Sequence, residues 1–185
     1  MDESGDDVHE TWQNSTSALS FARDWTISLF VDKSGDDTYK AFNTSLAYCN
    51  IRSNAFFFDL GGNDHYIVGT GQQMLGAADW QNYDQPHPLS PFGQYCNSIG
   101  LFIDSGGDDV YEDWTRETVG EGENARIIDH YSPTTIYANN VRWEYPHPGT
   151  DIYGFNNYGI GWDLEAGSDA TIPDVTWLDP KPEEE

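Results

Sequence analysis

Short apolar runs separated by polar turns dominate this chain and predict β-strands. Three of them, Ile27-Ser-Leu-Phe-Val31, Ala55-Phe-Phe-Phe58 and Ile99-Gly-Leu-Phe-Ile103, each lead directly into an aspartate. Short apolar runs bounded by Gly, Asn and Asp are typical of strands, because these residues favour turns. A helical pattern is present only at residues 15–23, where it is weak. We therefore predict an all-β fold.

The turn that follows each run is repeated along the chain. The copies are Asp2-Glu-Ser-Gly-Asp-Asp-Val-His9, Asp32-Lys-Ser-Gly-Asp-Asp-Thr-Tyr39, Asp59-Leu-Gly-Gly-Asn-Asp-His-Tyr66 and Asp104-Ser-Gly-Gly-Asp-Asp-Val-Tyr111, with a degraded fifth copy from Asp163. Such repetition predicts one supersecondary unit stacked on copies of itself. We expect a β-solenoid or β-helix-like stack with loop insertions at about 69–94 and 112–153. An antiparallel β-sandwich of hairpins is the alternative, because strand, turn and strand also describe a hairpin.

The length of 185 residues fits one domain. We expect residues 1–172 to form a single repeat-built β domain, and the sequence to be a piece of a longer protein, because it begins inside a motif copy. The proline-rich and glutamate-rich stretch 173–185 is expected to be a linker or disordered tail. Cys49 and Cys96 lie in matching Tyr-Cys-Asn contexts. They are expected either to form a disulfide in an oxidising compartment or to pack as two buried thiols.

The charge of the chain limits its partners. A formal net charge of -24 argues against nucleic acid and anionic membranes and favours cations. Thirteen of the 21 aspartates lie in the five motif copies, so the charge belongs to the turns rather than to a diffuse acidic surface. No apolar run approaches the roughly 20 residues that span a bilayer, so we expect no membrane insertion.

The acidic turns suggest a metal site. Stacked about 4.8 Å apart, two unpaired carboxylates repel by roughly 3.5 kcal/mol at an effective dielectric of 20, and a cation would remove this repulsion. Calcium accepts six to eight oxygen ligands in irregular geometry. The candidate Ca²⁺ ligands are Asp32, Asp36, Asp37, Asp59, Asn63, Asp64, Asp104, Asp108 and Asp109. The alternative is that these side chains bond the local backbone without any metal.

The motif cores resemble known repeats. Gly61-Gly62-Asn63-Asp64 and Gly106-Gly107-Asp108-Asp109 are similar to the calcium-binding β-roll repeats of secreted bacterial toxins and proteases, although the period here is 27 residues or more instead of nine. The long period resembles repeats of secreted bacterial proteins that have no assigned activity. The resemblance implies a secreted, repetitive β architecture that binds cations.

Two functions fit these observations. The first is a calcium-binding module, extracellular or at the cell surface, with a structural, adhesive or surface-assembly role. The second is a carbohydrate-binding or polysaccharide-degrading β-helix domain, with Asp108 and Asp109 beside Arg116, His130 and Tyr111 as acid and base. Aromatic residues in the insertions are expected to cap the open ends or flank of the stack, and the alternative is contact with carbohydrate or with another copy of the chain. Recurrence of the acids in every copy argues against a single catalytic site, and the five histidines show no zinc-ligand spacing with the cysteines.

Overall fold

The computed structural model describes residues 1–11, 18–50, 53–70, 74–79, 98–146 and 158–165, and these residues are mostly strand. The strands are β1 (Val8–Glu10), β2 (Phe21–Ala22), β3 (Ile27–Asp32), β4 (Thr38–Ala41), β5 (Tyr48–Asn50), β6 (Asn54–Asp59), β7 (His65–Gly69), β8 (Ala78–Asp79), β9 (Ile99–Ser105), β10 (Val110–Val119), β11 (Arg126–Pro133), β12 (Arg142–Pro146) and β13 (Tyr158–Leu164). A single 3-10 turn, Gly122–Asn124, lies between β10 and β11. The prediction of an all-β fold is confirmed. Within the described ranges, no helix has the length and apolarity needed to cross a membrane.

The strands form three open sheets, and from β1 to β10 successive strands belong to the three sheets in a repeating order. We call them the tyrosine sheet, of order β1-β4-β7-β10-β11, the phenylalanine sheet, of order β12-β13-β9-β6-β3, and the small sheet, of order β2-β5-β8. In the second, third and fourth copies, the strand before the acidic turn lies in the phenylalanine sheet and the strand after it lies in the tyrosine sheet. Equivalent strands of successive copies pair in parallel, so Asp32 lies opposite Asp59 and Asp59 opposite Asp104.

Two stacks of aromatic rings fill the space between the sheets. Phe30, Phe57 and Phe102 form one stack, with ring centroids 4.9 and 5.2 Å apart. The second stack contains Tyr39, Tyr66 and Tyr111, with centroids 5.1 and 4.9 Å apart. The two stacks meet edge to face, an arrangement that aromatic pairs favour. The second, third and fourth copies therefore each add one Phe and one Tyr to a continuous core.

Glycine at the fourth position of the turn is required by close backbone approach. A Cβ atom on Gly62 would lie 1.7 Å from the carbonyl oxygen of Gly35, and one on Gly107 would lie 1.7 Å from that of Gly62. Gly35 approaches the carbonyl oxygen of Gly5 in the same way, at 1.8 Å. These glycines let successive acidic turns come close enough for the acids to interact across copies.

A second repeated turn precedes the small sheet. Its residues Leu19, Leu46 and Leu75 have φ of 49°, 56° and 53°, and the residue after each also has positive φ. In the part of the segment 15–23 that the structure describes, residues 18–23, this turn and strand β2 replace the weakly indicated helix. The helical interpretation is wrong there, because two successive left-handed residues cannot continue a right-handed helix.

The second insertion contributes strands and core. Part of 112–153 forms β11 and β12, which pair antiparallel with β10 and β13 at one edge of the two larger sheets. Trp114, Tyr137 and Trp143 from this segment are buried. A Cβ atom on Gly161, which lies opposite Phe102, would be 1.9 Å from Nε1 of Trp143, so this indole occupies the space where the next phenylalanine ring would stack. Much of the insertion 69–94, Cys96 and the tail 173–185 lie outside the described residues.

Candidate metal centre

Parallel stacking turns each motif position into a column of side chains. We name four columns. The strand-end column is Asp32, Asp59, Asp104 and Asp163; the outer column is Asp6, Asp36, Asn63 and Asp108; the inner column is Asp7, Asp37, Asp64 and Asp109; the ring column is His9, Tyr39, Tyr66 and Tyr111. The sequence-predicted ligands are thus divided among three columns with different surroundings.

The outer column lies in solvent and bonds the backbone. Asp36, Asn63 and Asp108 are exposed. The Asn63 backbone N–H donates to Asp36 Oδ1 at 2.9 Å, and the Asp108 N–H donates to Asn63 Oδ1 at 3.0 Å. Among the described residues, the side-chain groups that could hold a metal ion do not include these three. Their role is to join the backbones of adjacent copies.

From Asp37 to Asp109 the inner column is buried, and its members use one oxygen of the carboxyl group in the same way. The Asp37 N–H donates to Asp64 Oδ1, and the Asp64 N–H donates to Asp109 Oδ1, both at 2.7 Å. The exposed fractions of Asp37, Asp64 and Asp109 are 1%, 1% and 7%. The expected backbone bonding is therefore present, but it links neighbouring copies rather than closing the local turn. It leaves the second oxygens of Asp64 and Asp109 without a hydrogen bond, whereas Asp37 Oδ2 accepts a long one, 3.5 Å, from Tyr39 Oη.

The strand-end column accepts hydrogen bonds from the ring column. Tyr39 Oη donates to Asp59 Oδ2 at 2.7 Å, and Tyr66 Oη donates to Asp104 Oδ2 at 2.5 Å. Tyr111 Oη donates to Oδ2 of the next aspartate, Asp163, at 2.7 Å. The tyrosine of one copy thus orients the first aspartate of the following copy, and all of these aspartates are buried.

Two clusters form where the inner and strand-end columns meet. One contains Asp37, Asp59 and Asp64, and the other contains Asp64, Asp104 and Asp109. Within each cluster the ligand oxygens lie within 4.8 Å of one another, which fits one cation at the typical Ca²⁺–oxygen distance of about 2.4 Å. Asp64 belongs to both clusters, so they are adjacent and share a carboxyl group.

The second cluster has oxygens without partners. Among the described residues, Asp64 Oδ2, Asp104 Oδ1 and Asp109 Oδ2 are buried and receive no hydrogen bond. A buried polar atom without a partner has lost its hydrogen bonds to water and gained none within the protein, which destabilises the protein by about 1–3 kcal/mol. Three such oxygens on the residues of one cluster indicate a group that a cation or protons must satisfy.

The surroundings disfavour the charged forms of these carboxyls. Burial, assisted by neighbouring aspartates, raises the pKa of Asp64 to about 8 and the pKa of Asp104 to about 10. Burial also raises the pKa of Asp109 to about 6, although the hydrogen bond from the Asp64 N–H opposes this. The pKa of Asp59 is raised for the same principal reason. Near neutral pH, the cluster therefore holds protons unless a cation compensates its charge.

The structure thus separates the nine predicted ligands. Asp37, Asp59, Asp64, Asp104 and Asp109 come together in the two clusters, whereas the three outer-column residues do not join them. Asp32 is buried but groups with Asp2 and His9 instead. Sequence reasoning omitted His9 and Asp163 as site residues, although each occupies a motif position whose equivalents were recognised.

The residues considered for catalysis are engaged elsewhere. Arg116 donates two hydrogen bonds to the carboxylate of Asp129, and Arg116 is the main cause of the lowered pKa of that carboxyl. Asp109 faces the interior and Asp108 the solvent. Neighbouring residues on an extended chain point to opposite sides, so this pair is poorly arranged to act on one substrate.

Comparison with protein-family models, curated proteins and solved structures found no match to this chain. The resemblance to β-roll and long-period secreted repeats therefore remains a prediction from the motif.

Proposed function

We propose that this chain is a β-solenoid module whose aspartate clusters bind Ca²⁺, and that it has a structural, adhesive or surface-assembly role outside the cell. The solenoid interpretation is supported by the regular passage through three sheets and by the parallel register of equivalent strands. A sandwich of hairpins would pair the strands on either side of an acidic turn. Here β3 pairs with β6, and β4 pairs with β1 and β7.

The observation that carries the cation proposal is the set of three unpartnered oxygens on Asp64, Asp104 and Asp109. Asp64 and Asp109 are already fixed by backbone N–H groups, and Asp104 by Tyr66. Their remaining oxygens are therefore held in place before any ligand arrives, which reduces the entropy lost on binding. Only oxygen atoms are offered, as hard cations require.

Calcium is the cation that this donor set favours. A dication cancels two of the three negative charges and so removes most of the repulsion inside a buried site. Magnesium demands near-ideal octahedral geometry and retains its water, whereas calcium accepts irregular carboxylate sets. The three carboxyl groups of one cluster supply part of the six to eight oxygen ligands that Ca²⁺ takes.

A structural role follows from the position of the clusters. They lie between copies, so a bound cation would link one copy to the next and stabilise the stack. Because the clusters are buried and recur along the columns, they suit reinforcement of the fold better than access by a polymeric substrate. This arrangement favours the module over the polysaccharide-degrading alternative.

The test is a calcium titration of the chelator-treated full chain, followed by calorimetry and by melting temperature. Binding to the native state alone adds about 2.7 kcal/mol to the free energy of unfolding when Ca²⁺ reaches 100 times its dissociation constant. In the variant Asp104→Asn, the amide can still accept the tyrosine hydrogen bond but carries no charge, so the second cluster should lose its Ca²⁺ and the calcium effect should fall to that of the first cluster. The matched control is Asp108→Asn, which alters the exposed outer column and should retain the calcium effect.

Two results would overturn the proposal. One is an unchanged melting temperature of the unmodified chain at millimolar Ca²⁺. The other is loss of the calcium effect in Asp108→Asn with its retention in Asp104→Asn, which would move binding to the exposed column. Equal stabilisation by Mg²⁺ would show that the site does not select calcium.

A further inference from the structure

The first motif copy differs from the others in its ring column. His9 occupies the position that Tyr39, Tyr66 and Tyr111 hold in later copies, and its ring stacks on that of Tyr39 with centroids 5.2 Å apart. The later tyrosines donate a hydrogen bond to the first aspartate of the next copy. For His9 this aspartate is Asp32.

The contact between His9 and Asp32 is too long for a hydrogen bond. His9 Nε2 and Asp32 Oδ2 are 3.6 Å apart, whereas the equivalent tyrosine contact to Asp59 is 2.7 Å. Both atoms are buried and receive no hydrogen bond from the part of the chain that the structure describes. Asp32 has an exposed fraction of only 1%, so its unpartnered oxygen is shielded from water.

A third side chain completes the group. The carboxyl of Asp2 provides a ligand atom within 4.8 Å of those of His9 and Asp32. The backbone of Asp2 is held in place, because its N–H donates to the carbonyl oxygen of Val31 at 2.8 Å. Asp2 is half-buried, which leaves one side of the group open to solvent.

We propose that Asp2, His9 and Asp32 form a separate site for a divalent transition metal, with Zn²⁺ or Co²⁺ as the fitting ions. In tetrahedral coordination, bonds of about 2.1 Å place a nitrogen and an oxygen ligand roughly 3.4 Å apart, close to the observed 3.6 Å. Imidazole nitrogen favours these metals over calcium, whereas the two aspartate clusters offer only oxygen. Three protein ligands leave a fourth position for water.

His9 has no zinc-ligand spacing with the cysteines, so the sequence pattern alone does not mark it as a ligand. The other two proposed ligands are carboxylates from two different copies, which parallel stacking brings together. Asp2 and Asp32 are 30 residues apart in the chain, and the distance between them becomes short only when the copies align.

The test is a Co²⁺ titration of the full chain with millimolar Ca²⁺ present, read by the visible absorption that tetrahedral Co²⁺ acquires with a nitrogen ligand. The variant His9→Tyr restores the residue of the other copies, so it should fold, and it should bind Co²⁺ at least tenfold more weakly. Asp32→Asn should weaken binding similarly. The matched control is His65→Thr, which changes a motif histidine to the residue of the second copy and should leave Co²⁺ binding within twofold.

The outcomes separate this site from the calcium clusters. Asp104→Asn should reduce the calcium effect and leave Co²⁺ binding within twofold, because Asp104 belongs to the second aspartate cluster and is not part of this group. Co²⁺ affinity that is unchanged in both His9→Tyr and Asp32→Asn would overturn the proposal. Loss of Co²⁺ binding in His65→Thr alone would also overturn it, since His65 Nε2 lies 2.8 Å from Glu112 Oε2 and offers a competing pair.

Discussion

Removal of divalent cations should make the stability of this protein fall as the pH rises from about 4 to about 8. The perturbation acts on the buried carboxyls of Asp64, Asp104 and Asp109, whose pKa values are raised by burial to about 8, about 10 and about 6. In the unfolded chain each carboxyl has lost its proton above about pH 4. The native state keeps the proton to a higher pH, so unfolding releases it and high pH favours unfolding.

The magnitude follows from Asp109 alone. A carboxyl that is protonated in the native state and ionised in the unfolded state lowers the free energy of unfolding by about 1.4 kcal/mol per pH unit. For Asp109 this window runs from the ordinary pKa of 3.8 to about 6, a loss on the order of 3 kcal/mol. Asp64 and Asp104 extend the decline to higher pH. The pKa of Asp129 is lowered, so its stabilising contribution is lost only as the pH falls below the ordinary aspartate pKa of 3.8. Measurements above about pH 4 therefore exclude the Asp129 effect and report the buried carboxyls.

The assay is denaturant unfolding of the chelator-treated chain at a series of pH values, repeated with saturating Ca²⁺. In Asp109→Asn the residue cannot titrate, so the slope between about pH 4 and pH 6 should shrink by about 1.4 kcal/mol per pH unit. In Asp108→Asn the slope should stay as in the parent chain, because this residue is exposed. Calcium should flatten the decline, since a bound cation favours the charged carboxylates.

The reasoning is refuted if the cation-free protein gains stability between about pH 4 and pH 6. That result would mean that the native state favours ionised carboxylates without a cation. An equal change of slope in both asparagine variants would show that the decline arises from the overall acidic charge of the chain.

Two further substitutions test the packing of the stack. Gly62→Ala should lower the free energy of unfolding by more than about 4 kcal/mol, because its Cβ would lie 1.7 Å from a backbone oxygen, whereas Gly122→Asn, at φ 60° with open space around it, should change it by less than about 1 kcal/mol. Phe57→Ala should lower it by about 3–5 kcal/mol, and the half-buried Phe56→Ala by clearly less, since Phe57 is fully buried between two stacked rings. Chemical denaturation measures both pairs, and equal effects within either pair would contradict the packing described.

The strands and the alignment of the copies could be predicted from the sequence because residues at the same motif position occupy the same structural position in each copy. The apolar runs ending at Asp32, Asp59 and Asp104 became parallel strands with those aspartates opposite one another. The sequence did not predict which acidic side chains point into the interior and which point to solvent. Adjacent acids such as Asp108 and Asp109 point to opposite sides, and only the folded corner decides which of them is buried.

Other features depend on contacts that the motif does not specify. The tyrosine of each copy was recognised as part of the repeat, but its hydrogen bond goes to the next copy, which only the stacking reveals. The antiparallel strands β11 and β12 lie in a segment interpreted as an insertion, because it has no motif of its own. The left-handed turn at Leu19 was missed because leucine rarely adopts positive φ, and the conformation is imposed by tertiary packing.

His9 and Gly161, two exceptions to the repeat, also favour one alignment of the copies over others. A chain whose copies were all alike could pair with itself one copy out of step at little energetic penalty, since every ring and acid would still find an equivalent neighbour. At one edge His9 supplies an imidazole where a phenol is the rule, and at the other Gly161 makes room for the indole of Trp143. A shifted arrangement would leave a cavity at one of these two positions and a steric clash at the other. The irregular copies therefore favour one alignment over alternatives that would otherwise have nearly the same energy.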